Sequence, residues 1–198
     1  MAVQLEKIRE DIIGLRPIYT NEGKATIIYL REGEVQDKRG IRSLQLALAR
    51  LYAIDLGAQR RNMRGRLKRN GVMPFYLAND RVFIPLKMRK VLASNDAVYG
   101  YVDVVYMGEA VSSGMQTCLL PLKNGREIEI LSKRSTVLQC QHMGQRLLGM
   151  LQGDNDNDEG EKLLVDAGIY INQVFRSIKK DLKEIKEIIT EDYGDNDP

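Results

Sequence analysis

Hydrophobic and polar positions along this chain switch between two periods, and the switches mark its elements. Residues 3–13 set Val3, Ile8, Ile12 and Ile13 among charges, which predicts a short helix. Arg16-Pro17 ends it, because the residue before a proline is pushed out of the helical region. Residues 24–31 are β-branched and aromatic and predict a strand, after which Glu32-Gly33-Glu34 turns the chain. From 41 to 56 the period lengthens. Leu44, Leu48, Leu51 and Tyr52 make one apolar stripe, Ala47 and Ala49 are strong helix formers, and Gly57 is placed to cap the helix C-terminus. Asn70-Gly71 marks a turn, and 72–77, 81–85 and 96–107 then read as strands. Residues 117–122 and 126–131, either side of Asn124-Gly125, predict a hairpin closed by a type I′ turn, since both turn residues tolerate positive φ. Residues 134–151 return to helical spacing through Val137, Leu138, His142, Leu147, Leu148 and Leu151.

A small, acidic segment without apolar residues, 154–160, separates this body from the C-terminal segment. Beyond it Leu164, Ala167, Ile171, Val174, Ile178, Leu182, Ile185 and Ile189 recur every three or four residues, predicting one long amphipathic helix over 161–191. The stripe needs cover, because a lone helix in water is marginal. It either dimerises or packs on the body. The expected organisation is a basic domain over 1–153, an acidic linker over 154–160 and a C-terminal helix with an acidic tail over 161–198. The fold class is α+β: a mostly antiparallel sheet flanked by helices, with a long C-terminal helix.

Composition narrows the classes. Of 198 residues, 43% are apolar, enough for a real core, and no uncharged apolar run is long enough to span a membrane. Glu6, Lys7, Arg9, Glu10 and Asp11 exclude a signal peptide at the start of the sequence. Two cysteines, Cys118 and Cys140, fit a reducing cytoplasm, where a buried structural pair is expected. The net charge of +3 hides an asymmetry: residues 154–198 carry 6 basic and 13 acidic side chains, leaving 24 basic and 14 acidic over 1–153. A basic body with an acidic tail points to a polyanionic partner.

The sharpest feature is the run Arg60, Arg61, Arg64, Arg66, Lys68 and Arg69, with no acidic residue between 57 and 69. Close like charges near a surface cost about 1–4 kcal/mol per pair before screening, so something must offset them. Nucleic-acid phosphates are the functional reading, and a solvated loop or helix face is the structural one. A second cluster, Lys87, Arg89 and Lys90, can extend the same surface. Few aromatics interleave with the run, which argues against single-strand binding and for duplex; arginine over lysine suits phosphates and narrow minor grooves. The alternative is a protein-interaction module whose basic segment binds an acidic partner.

Enzymatic motifs are missing. One histidine, His142, leaves no two-histidine metal site, and Cys118 and Cys140 form no zinc knuckle. Asp154, Asp156, Asp158 and Gly160 resemble the opening of a calcium loop, but the glycine is one position late and Val165 stands where the closing glutamate belongs. A nucleic-acid-processing enzyme would need a carboxylate cluster, for which Asp80, Asp96 and Asp103 are the candidates. No enzyme activity, cofactor or metal is expected.

Several patterns over about residues 44–150 resemble, in order, the competence transcription factor (ComK) family. Gly57 and then Gly65-Arg66-Leu67-Lys68 resemble its Gly-Arg-Lys stretch. Met73-Pro74-Phe75 followed by Asn79-Asp80-Arg81-Val82-Phe83-Ile84-Pro85 resembles its Asn-x-Ile/Val-Phe-x-Pro segment. The Asn124-Gly125 hairpin, Ser132, and Gln141 or Gln145 resemble its Asn-Gly hairpin, serine and glutamine-bearing helix. The family's tryptophan and paired serines are missing; Tyr99 and Tyr101 lie where the tryptophan region falls. The resemblance implies a cytoplasmic, oligomeric activator that binds A·T-rich duplex DNA through the minor groove and answers to an adaptor or protease-system protein. It assigns DNA contact to Gly65, Arg66 and Lys68; the other arginines rest on charge.

Overall fold

A computed structural model describes residues 3–67, 70–91 and 96–153, apart from the side chain of Arg66. The chain divides into two units, 1–153 and 154–198. All the described elements belong to the first unit; the linker expected at 154–160 and the helix expected at 161–191 lie outside the described residues.

The elements run α1 (Leu5–Ile8), β1 (Ile12–Thr20), β2 (Gly23–Leu30), β3 (Glu34–Asp37), α2 (Ile41–Leu51), α3 (Leu56–Leu67), β4 (Phe75–Ala78), β5 (Arg81–Lys87) and β6 (Tyr99–Asp103). A 3-10 turn (Val104–Tyr106), β7 (Val111–Ser112), β8 (Cys118–Pro121), β9 (Glu127–Ile130) and α4 (Arg134–Gln152) complete the unit. Six strands form one antiparallel sheet in the order β3-β2-β1-β6-β5-β4, and β7-β8-β9 form a smaller one. The fold is α+β.

Alternation along the strands builds a core on each face of the large sheet. On β5, Val82, Ile84 and Leu86 face one way and Phe83 the other. The Phe83 face meets α2 through Ile41, Leu44 and Leu48, with Phe75 stacked on Phe83 at 5.0 Å. The Ile84 face meets α4 through Val137, Cys140 and Leu147 and the small sheet through Cys118, Leu120, Ile128 and Ile130. Gly144 lets α4 come close: a Cβ there would sit 2.6 Å from the Ile84 side chain. Both cysteines are free and buried.

Three local expectations are corrected. The helix expected over 3–13 is one turn, and β1 takes over at Ile12. Ile12 and Ile13 are both fully buried on opposite faces, which a strand achieves and a helix does not. Pro17 sits inside β1, past Gly14 and Leu15, the positions at which β6 also pairs, so it interrupts no doubly bonded stretch. The turn expected at Glu32-Gly33-Glu34 is present, with Gly33 at φ +81°, and the chain after it pairs back as β3 through Tyr29↔Glu34 and Thr26↔Asp37. The β8–β9 hairpin exists, but its turn is not type I′. Only Gly125 has positive φ (+81°), and Leu122 N–H donates to Arg126 O at 2.7 Å around a three-residue loop. The Asn124 side chain braces the turn, accepting from Arg126 N–H at Oδ1 (3.1 Å), and ties it to β2 by donating to Leu30 O (2.8 Å).

Candidate nucleic-acid interface

The helix expected through 56 stops at Leu51, and the basic run forms a helix of its own. Ile54 N–H donates to Ala49 O (2.8 Å) and Ala53 N–H to Arg50 O (3.1 Å), with Ala53 left-handed at φ +53°. This is a Schellman ending with alanine where glycine is usual. Gly57 therefore does not cap α2. It belongs to the first turn of α3, where its N–H (2.7 Å) and that of Ala58 (3.0 Å) donate to Asp55 Oδ1. The bonds from Ala58 and Gly57, helped by the charge of Arg61, hold the Asp55 carboxyl below its usual range.

By its own preferences α3 is a poor helix. Two glycines cost about 1 kcal/mol each relative to alanine, and like-charged arginines at i, i+3 and i, i+4 cost about 0.2–0.5 kcal/mol per pair. Its partners are tertiary. Gln59 donates from Nε2 to Tyr76 O (2.8 Å) and accepts from Tyr76 N–H at Oε1 (3.2 Å), so its amide pairs with edge strand β4 as another strand would. Met63 is buried and Leu67 packs on the α4-side core, while Leu56 packs on the α2-side core. Thus α3 lies across the β4 edge and holds both faces.

The remaining side is solvent-facing. Arg60, Arg61 and Arg64 are exposed and form no ion pair with the described residues. Gly65 is exposed with open space around it. Arg66 belongs to α3, while Lys68 and Arg69 lie outside the described residues. The field extends to α2. Burial raises the pKa of the Tyr101 phenol, whereas a hydrogen bond from Gln45 and the charges of Arg60 and Arg42 oppose that rise. Arg42 is exposed, and charge-run reasoning missed it because it lies far upstream; its signal is its polar position opposite the Leu44–Leu48 stripe.

The second cluster divides. Arg89 does not extend the basic surface as an open cation. Its side chain is 13% exposed, its guanidinium lies 3.2 Å from Asp96 Oδ1 and 4.0 Å from the centroid of Tyr19, and Tyr19 donates its hydroxyl to the same carboxylate. Lys87, at the end of β5, is half-buried and lines a groove; Lys90 is exposed. Neither is ion-paired with a described residue.

Two of the three acidic candidates have structural partners: Asp96 is held by Arg89 and Tyr19, and Asp103 by Arg81 and Val105, while Asp80 is exposed between β4 and β5. Asp103 is buried 3.6 Å from Arg81 Nε and accepts from Val105 N–H at 3.2 Å. Among the described residues no three His, Cys, Asp or Glu side chains are grouped to hold a metal, and no helix is long and apolar enough to cross a membrane. Compared with known proteins, the chain matches no family model, no curated protein and no solved structure.

Proposed function

We propose that this chain is a transcriptional regulator that binds duplex DNA through α3. The observation that carries the reading is the set Arg60, Arg61 and Arg64: exposed, in no ion pair with a described residue, with the Asp55 carboxylate felt by Arg61 from beyond ion-pair range, and carried on a helix fixed to the sheet edge by Gln59 and Met63. A run on a mobile loop would relieve its repulsion by spreading; this one is held together. Arg42 widens the surface, and Lys68 and Arg69 continue the run in sequence.

The resemblance to the competence transcription factor family adds A·T-rich sites, minor-groove contact, oligomeric binding and control by an adaptor or protease-system protein. The minor groove is about 6 Å wide and a helix about 10–12 Å across. Contact there falls to arginine side chains reaching in from a helix laid over the backbone, a role guanidinium suits.

The test is fluorescence anisotropy with an A·T-rich duplex at low salt, comparing wild type with Arg61→Glu/Arg64→Glu. Charge-assisted contacts are worth about 1.5–3 kcal/mol, so each reversal should cost at least about tenfold in affinity. The melting temperature should not fall, since both side chains are exposed. Wild-type protein that binds no duplex at low salt but binds an acidic polypeptide through the same arginines would replace this reading with the acidic-protein one.

A further inference from the structure

A groove of about 160 Å³ lies where the chain leaving α3, the end of β5 and the start of α4 meet; Asn70, Lys87, Tyr99, Ser132, Thr136 and Cys140 are among its lining. Backbone bonds fix its walls. Leu131 N–H donates to Lys87 O at 2.7 Å, which sets Ser132 beside Lys87, and the β5–β6 register pairs Lys87 with Tyr99. The volume is room for about five waters. No carboxylate of the described residues lines it, and Lys87 has no ion pair with a described residue. Lys87, a half-buried residue, lines the groove together with hydroxyl- and amide-bearing residues and no described counter-charge. Val72, Pro85, Leu86 and Val137 give the groove an apolar wall, but an apolar guest would leave the polar groups without partners, which costs free energy.

We propose that this groove is an oxyanion site that takes a single phosphate group, with Lys87 supplying the charge and Asn70, Ser132 and Thr136 the donors. The phosphate comes from one of two sources: free phosphate, or a phosphodiester of the duplex in the reading above. The second source rests on that reading; the first does not. Asn70, in the groove's lining, follows the basic run directly in sequence.

The experiment uses the full chain and two variants, Lys87→Gln and the charge-neutral Ser132→Ala/Thr136→Val. In the first arm, inorganic phosphate is titrated against chloride at matched ionic strength, with melting temperature and amide chemical shifts as readouts. A saturable rise in melting temperature with shifts around Lys87 and Ser132, lost in both variants, supports a free-phosphate site. In the second arm, duplex affinity is measured against salt. A several-fold loss in Ser132→Ala/Thr136→Val, with the melting temperature of the free protein unchanged, supports a bound phosphodiester, because no charge has been removed. Lys87→Gln should then lower the magnitude of the salt slope by about one. If neither phosphate nor duplex distinguishes wild type from either variant, the proposal is overturned. A chain that binds phosphate but no duplex keeps the groove and loses the regulator reading.

Discussion

Ala53 is the one non-glycine residue with positive φ among those described, and it stands where α2 hands over to α3. The left-handed conformation costs an L-residue about 1–2 kcal/mol, and glycine recovers most of that less its own unfolded-state entropy of roughly 0.5–1 kcal/mol. Ala53→Gly is therefore expected to stabilise the protein by about 0.5–1 kcal/mol, raising the melting temperature by a few degrees in a thermal scan. A fall would mean that the Schellman ending is not what fixes this junction. Asp103 makes a second residue-scale case. Burial drives its carboxyl up to about 6 against the opposing Val105 N–H and Arg81. In the fold it holds a proton at pH values where the unfolded chain has already released one, so its contribution is full below about pH 4 and lost as pH rises through 6. A shift of about 2 units corresponds to roughly 3 kcal/mol. Denaturant titrations at pH 4 and 7 should show wild type losing stability relative to Asp103→Asn by up to that amount; a constant difference would refute the buried-acid account. Asp37 works in the opposite sense. Burial raises its pKa, but hydrogen bonds from Arg39 and Val3 outweigh that and lower it, so its contribution disappears only as pH falls below the ordinary carboxylate range.

At the scale of elements, Gln59 decides whether α3 exists as a presented helix. Its amide satisfies both backbone groups of Tyr76 on strand β4, and no other described residue does so. Gln59→Ala leaves two backbone groups unpaired and is expected to cost about 1–3 kcal/mol. Amide exchange should then speed up across α3 and β4 more than in β1 and β2, and the bared edge should promote self-association. Unchanged protection in α3 would show that Met63 and Leu67 suffice. The same bond explains what sequence could and could not reveal. The charge of α3 was plain, but its helicity was not: glycines at 57 and 65 and a sparse apolar stripe give no local signal, and the partner of Gln59 is tertiary. The helices α2 and α4 and the β8–β9 hairpin were legible because Leu44/Leu48, Val137/Leu147 and Ile128/Ile130 repeat at the period of their element. Strand β1 was not, because Ile12 and Ile13 bury on opposite faces and read as neither period. Arg89 looked like an open cation because its partner, Asp96, stands seven residues on, with no pairing signal in sequence.

For the whole molecule, the question is whether a net charge of +3 or a local array governs association. At physiological salt the Debye length is about 8 Å, so the acidic residues of 154–198 do not cancel the field at α3 unless they lie within that reach. Contact by Arg60, Arg61 and Arg64 alone gives a slope of log affinity against log salt near −3, and the complete run of six gives about −5. Without contacts from Arg42 or Lys87 the duplex slope should fall between these limits, and each of those two adds about one to its magnitude. Two single-charge removals separate the causes. Arg61→Gln takes one cation from the array, and Lys123→Gln takes one from the exposed β8–β9 loop, lowering net charge equally. If diffuse attraction drives binding, both variants lose affinity alike and the slope barely changes. If the array is the binding surface, Arg61→Gln reduces the slope's magnitude by about one while Lys123→Gln keeps the wild-type line. Only the second pattern is compatible with a helix whose repulsion the fold tolerates because a phosphate backbone completes it.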